Sequence, residues 1–291
     1  MKTNIQNRWR RYLGATWIVY HLSLVAAFAQ GVPQQDIVSP DGRMTVTVSD
    51  EGGRAKYQVK LDGEVFIQDS PLGVKMNFED LTQGLRMTAC EVSKYEDEYS
   101  LKTIKQSHVK VTATEGVCQF EKDGRRALDV IFRVTGRDVA YRYKIYPKKV
   151  RGGETMSGVV ESEASGFVLP DGTTTFLCPQ MKPMTGFART APSYETGYTP
   201  DDAMGKNGWG FGYTFPCLFK APKGWVLISE TGTDGGYVGC RLMCEEDKGP
   251  LYRVGFPMAE EMNGVGSVNP LVSLPAETPW RTITIGTTLA P

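Results

Sequence analysis

The chain has 291 residues, with 33 basic and 33 acidic side chains, and no basic stripe or aromatic-basic motif follows its first thirty residues, which argues against nucleic acid as a partner. Thirty-two glycines and 17 prolines imply many turns and disfavour long helices.

Residues 1–29 differ in composition from the rest. Lys2, Arg8, Arg10 and Arg11 form a basic start, Tyr12 to Phe28 is mostly apolar, and Ala27-Phe28-Ala29 is an A-x-A cleavage pattern before Gln30. This reads as a signal peptide. A membrane anchor is the alternative, but the apolar stretch is shorter than the roughly 20 residues that span a bilayer. The expectation is a secreted, periplasmic domain over 30–291, with no membrane attachment after cleavage.

From Arg43 onward the apolar period is two, as in strands with one buried face. Met44, Val46 and Val48 alternate with Thr45, Thr47 and Ser49, and Tyr57, Val59 and Leu61 follow. Asp62-Gly63 before Val65-Phe66-Ile67, and Asp123-Gly124 between Val117–Phe120 and Leu128–Val134, are type I′ hairpin signals. Further strands are expected at 109–112, 140–146, 173–177, 225–229, 237–243, 252–256 and 282–285. The sum is an all-β fold, a large antiparallel β-sandwich of roughly a dozen or more strands. The six cysteines, at 90, 118, 178, 217, 240 and 244, match no zinc or CxxC pattern. An oxidising compartment would permit bridges, but a core this large does not depend on staples, and buried apolar thiols are the favoured reading.

Residues 181–216 lose the strand texture. Gly, Pro, Asp and Asn are frequent there, with Tyr194, Tyr198, Trp209, Phe211, Tyr213 and Phe215 among them, so function is sought in this stretch. Asp201, Asp202 and Glu230 read as turn-forming, helix-capping or solvated acids.

Four segments, taken in order, resemble glycoside hydrolase family 97. Ile37-Val38-Ser39-Pro40-Asp41-Gly42 is similar to that family's opening S-P-D-G strand, and Ser70-Pro71-Leu72-Gly73-Val74 to its S-P-L-G-L segment. Asp138-Val139-Ala140-Tyr141-Arg142-Tyr143 is similar to its D-G-V-A-F/Y-R-Y strand, and Thr278-Pro279-Trp280-Arg281-Thr282-Ile283 to the T-P-W-R-x-I strand that closes the N-terminal domain. The resemblance covers about 37–286. It implies a galactose mutarotase-like super-sandwich that, in the family, precedes a catalytic (β/α)8 barrel, which this chain is expected to lack.

Ser193-Tyr194-Glu195-Thr196-Gly197-Tyr198 resembles the family's acidic Y-E loop. The resemblance implies that Glu195 ligates a Ca²⁺ shared with the barrel and that Tyr194, Tyr198 and Trp209 contact an α-linked oligosaccharide. From the residues alone, Glu195 reads as a solvated loop carboxylate, and the aromatics read equally as core or interface packing. Glycoside hydrolysis ordinarily needs two flanking carboxyl groups, and no catalytic residue is assigned here. The leading expectation is thus a non-catalytic domain of a secreted α-glycosidase of the α-glucosidase or α-galactosidase type. A stand-alone periplasmic carbohydrate-binding module is the alternative. An aldose mutarotase-like enzyme is less favoured, because such enzymes pair histidines with a glutamate and this chain has only His21 and His108, the latter expected at the surface.

Overall fold

The computed structural model describes residues 34–103, 107–181, 197–244, 250–262 and 266–289. Alternation becomes burial: the strand Met44–Ser49 buries Met44, Val46 and Val48, and Lys56–Leu61 buries Tyr57, Val59 and Leu61. Asp62 and Gly63 turn the chain at φ of 51° and 84°, and Asp123 and Gly124 at 52° and 74°, the positive values a type I′ turn demands. Among the described residues there is no α-helix.

Two large antiparallel sheets face each other. One runs in the order Gln34–Val38, Met44–Ser49, Lys56–Leu61, Glu64–Pro71, Gly166–Val168, Leu251–Gly255, Arg241–Cys244. The other runs Asp202–Ala203, Thr174–Phe176, Cys217–Ala221, Gly224–Thr231, Trp280–Gly286, Asp138–Ile145, Arg125–Val134, His108–Lys122, Arg86–Ser100. A smaller sheet of Leu271–Ser273, Ser157–Glu163, Val74–Met76 and Glu79–Leu81 accompanies them. The core lies between the two large layers. Tyr57 of the first packs its ring 6.0 Å from Phe132 and 5.3 Å from Tyr141 of the second, and its hydroxyl donates to the Gly166 carbonyl at 2.9 Å, satisfying the polar end of a buried aromatic.

The recognisable segments turn out to be fold keystones. Ser39 Oγ donates to Asp41 and accepts from the Met44 amide, closing the first turn. Ser70 Oγ donates to the Gln68 carbonyl and accepts from the Val168 amide, 98 residues away. Gly73 donates its amide to the Tyr143 hydroxyl at 3.0 Å, and Thr278 and Tyr143 exchange two bonds through the Tyr143 amide and carbonyl. On the outer face Trp280 receives the guanidinium groups of Arg133 and Arg142 at 4.7 and 4.4 Å from its ring, attractive cation–π contacts.

Three expectations need correction. Cys90 and Cys118 form a disulfide, contrary to the reading of all cysteines as thiols. They are direct cross-strand partners on Arg86–Ser100 and His108–Lys122, a register that no linear spacing reveals. Cys217 is a buried thiol, as expected. The strand expected over 237–243 begins only at Arg241, because the glycine-rich segment before it is taken up by a turn in which Asp234 accepts from the Gly236 and Tyr237 amides. Glu230, expected to be solvated or in a turn, lies on the strand Gly224–Thr231 with its carboxylate against a buried arginine.

Candidate functional site

The irregular stretch is anchored by backbone and side-chain bonds. Asp201, at φ 51°, accepts from Thr174 Oγ1 at 2.9 Å, as befits a turn acid. Farther on, Asn207 holds a tight turn: its carbonyl accepts from the amides of Gly210 and Gly212, and its side-chain oxygen accepts from the Cys244 amide at 3.0 Å. Tyr213 and Leu242 then exchange amide–carbonyl bonds of 2.7 and 2.9 Å. Arg241, only 5% exposed, donates to the Phe211 carbonyl at 3.2 Å and pairs with Glu261. Gly212 is required here, since at its φ of 80° a Cβ would lie 2.6 Å from the Leu242 carbonyl oxygen.

Trp209 stands on this turn and is 53% exposed, as is Tyr198. The two are held by different elements: Tyr198 shortly precedes the Asp201 turn tied to Thr174, whereas Trp209 is tied to the strand Arg241–Cys244. Tyr194 and Glu195 lie outside the described residues. Tyr213 belongs to the core, Phe215 packs partly buried against it and Phe211 is half-buried. Among the described residues no group of three or more His, Cys, Asp or Glu side chains could hold a metal ion. His108 lies exposed at the start of its strand, 3.2 Å from Glu98.

Sequence reasoning missed the network behind this loop set. Arg281 is fully buried. Its Nε and Nη2 donate to Glu163 at 3.1 and 2.5 Å, and its Nη1 donates to Glu230 at 2.6 Å. Glu163 also accepts from the Tyr237 hydroxyl at 2.6 Å and from Ser165 Oγ at 2.7 Å, while Glu230 accepts from the Cys240 amide at 2.8 Å. Burial opposes the charge on Glu163, but the Arg281 charge and bonds and the two hydroxyls outweigh it and hold the carboxyl below its ordinary range. Burial pushes the Cys240 thiol up, so this cysteine stays protonated. The signal for the cluster was present: Arg281 is in phase with the inward Ile283 and Ile285, a position where period two requires an apolar residue.

Two open clefts elsewhere share no lining residue with 197–216. One, of about 730 Å³, lies between the Asp41 turn and Arg137; the other, of about 510 Å³, is lined by Leu218, Trp225 and Leu227. Neither contains a residue expected to touch a ligand.

The two facing antiparallel sheets define a large all-β sandwich. Residues 37–291 match the family described as "Glycosyl-hydrolase 97 N-terminal", and the chain belongs to that family. It is 29% identical over 239 residues to a "Probable retaining alpha-galactosidase" of Streptomyces bingchenggensis (strain BCW-1), covering 80% of this chain and 32% of that protein. The crystal structure of a beta-arabinopyranosidase superposes with a TM-score of 0.81 at 43% identity, over 88% of this chain and 40% of that one. A glycoside hydrolase family 97 enzyme from Pseudoalteromonas sp. strain K8, in complex with panose, shares the fold at TM-score 0.69 and 18% identity, over 87% and 36% of the two chains. The chain thus spans about a third to two fifths of these relatives' lengths.

Proposed function

We propose that this domain is the non-catalytic N-terminal part of an exported glycosidase that removes galactopyranoside or arabinopyranoside units, packing on a catalytic barrel and lending it loop residues. The observation that carries this reading is the 43% identity to the beta-arabinopyranosidase over nearly all of the described fold. The probable α-galactosidase points the same way, because an arabinopyranose is a pentose that lacks the hydroxymethyl arm of a galactopyranose, and one pocket shape can serve both rings. The glucoside branch has the fold alone behind it.

In this reading Tyr194, Tyr198 and Trp209 offer apolar ring faces with polar edges to the sugar. Glu195 completes a calcium shell whose remaining oxygens come from the barrel. Calcium takes six to eight oxygen ligands, so one loop carboxylate can finish a shell and cannot build one. Residues 1–29 direct export, and a disulfide at Cys90–Cys118 suits the oxidising compartment to which they lead.

The test is an assay of the purified protein, at high concentration, with aryl α-galactopyranosides and arabinopyranosides, beside a calcium titration. The expected result is no turnover and weak or absent calcium binding. Turnover that survives rigorous purification and disappears in Glu195→Gln would overturn the non-catalytic assignment, and tight calcium binding would overturn the shared shell.

A further inference from the structure

Arg281 lies in the core, yet the bonds it organises lead outward to the loop end. From its Nη1 the path runs through Glu230 to the Cys240 amide, which is the residue before the strand Arg241–Cys244. That strand holds the Trp209 turn at three points: Arg241 on the Phe211 carbonyl, Leu242 on Tyr213, and the Cys244 amide on Asn207. From Nε and Nη2 a second path runs through Glu163 to the Tyr237 hydroxyl. The segment between Thr231 and Cys240 is mostly exposed; the two carboxylates hold its C-terminal part at Tyr237 and Cys240, whose side chains also pack against the core.

Placing a guanidinium and a carboxylate in a fully buried position carries a desolvation cost that apolar residues of equal volume would avoid. The planar fork of arginine allows what those residues could not do: it meets two carboxylates at once and fixes the direction of each. Glu230, 15% exposed at its side chain, is the member that hands this geometry to the loop end.

We propose that Arg281 and Glu230 are positioning residues that set the conformation of the Trp209 turn through the Cys240 amide and the strand Arg241–Cys244. That the turn touches sugar rests on the function proposed above; that Arg281 and Glu230 fix it does not.

The experiment is hydrogen exchange followed by mass spectrometry on the purified protein, comparing Glu230→Ala, Glu230→Gln, Arg281→Lys and a core variant, Val130→Ala, that matches them in lost thermal stability. Amides of 205–214 and 240–244 are expected to exchange about tenfold faster in Glu230→Ala, where a charge-assisted buried bond is removed, while those of Lys56–Leu61 stay unchanged. Glu230→Gln keeps an acceptor for the Cys240 amide and is expected to restore part of the protection. Glu230→Ala carries the test if Arg281→Lys does not fold. Unchanged protection at 205–214 in Glu230→Ala, or an equal loss there in Val130→Ala, would overturn the proposal. If the exchange pattern holds but Trp209→Ala binds a galactoside-terminated oligosaccharide as well as the parent does, positioning stands and the sugar-contact reading falls.

Discussion

Arg281 and Glu163, 118 residues apart in the chain, meet with both side chains wholly excluded from water and their Nη2 and Oε1 atoms 2.5 Å apart. The pair sits inside a continuous line of polar contacts. The Gly73 amide donates to the Tyr143 hydroxyl, Tyr143 donates to Ser165, and Ser165 donates to Glu163, which faces Arg281 and through it Glu230. Three of the recognisable segments, at Gly73, Tyr143 and Arg281, are therefore joined in one buried network through Ser165 and Glu163.

Removing Arg281 strands two carboxylates, Glu163 and Glu230, and neutralising Glu163 leaves Arg281 with Glu230 as its one charged partner. Arg281→Met or Glu163→Gln is expected to cost about 3–5 kcal/mol, read as a lowered denaturation midpoint. Arg281→Met combined with Glu163→Gln is expected to cost less than the two single changes added together, because only Glu230, whose side chain is 15% exposed, is then left without its partner. Additive losses would mean that the two residues act independently.

The same pair predicts an acid limb. Glu163 has its folded pKa below the ordinary 4.5, so its contribution is fully present above about pH 4.5 and is lost as pH falls through the depressed folded value. Exposed carboxylates shifted the same way, such as Asp62 beside Arg43, are screened by solvent and add little. Urea unfolding at a series of acidic pH values should give a shallower stability slope for Glu163→Gln than for the parent, with the two curves converging at the acid end.

Loss of the Cys90–Cys118 bridge should lower stability without abolishing the fold. A disulfide is worth about 2–4 kcal/mol, while Cys118 is one of many buried side chains in the core and Cys90 packs against it, so most of the core's contacts remain. Cys90→Ala/Cys118→Ala should retain the far-ultraviolet spectrum of the parent and melt at a lower temperature. Non-reducing peptide mapping of the parent should recover one linked pair of peptides containing these two residues.

How far the chain could be read depended on whether physics left a linear trace. Alternation exposed Met44–Ser49, Lys56–Leu61 and the Asp-Gly turns, because a half-buried strand must repeat every two residues. The strand Arg86–Ser100 left no such trace: its outer half is exposed, so nothing forces an apolar residue at every second place. The Cys90–Cys118 pairing and the identity of Arg281's partners depend on register between distant strands, which spacing along the chain does not carry, although the inward phase of Arg281 itself was legible. Trp209 and Tyr198 are as exposed as ligand contacts would be, but exposure alone does not bring them together.

The S-P-L-G segment yields the sharpest prediction about a single atom. Gly73 has φ of 128°, and a Cβ on it would stand 2.4 Å from the Leu81 carbonyl oxygen and 3.0 Å from the Thr82 Cα. Both are backbone atoms of the neighbouring strand end and cannot swing aside like a side chain. Gly42 in the S-P-D-G turn makes the matched control, since its φ is 76° but nothing lies within 4 Å of its missing Cβ. Gly42→Ala then reports the conformational penalty alone, roughly 1–2 kcal/mol for a left-handed residue carrying a Cβ. Gly73→Ala adds a backbone clash to that penalty and displaces the amide that donates to Tyr143, leaving the far end of the Glu163 network short of a donor. It is expected to lose more stability than Gly42→Ala by at least about 1 kcal/mol, measured as the difference in unfolding free energy between the two variants in urea. Equal losses would mean that the Leu81–Thr82 backbone yields freely and that Gly73 is needed only for its dihedral angles.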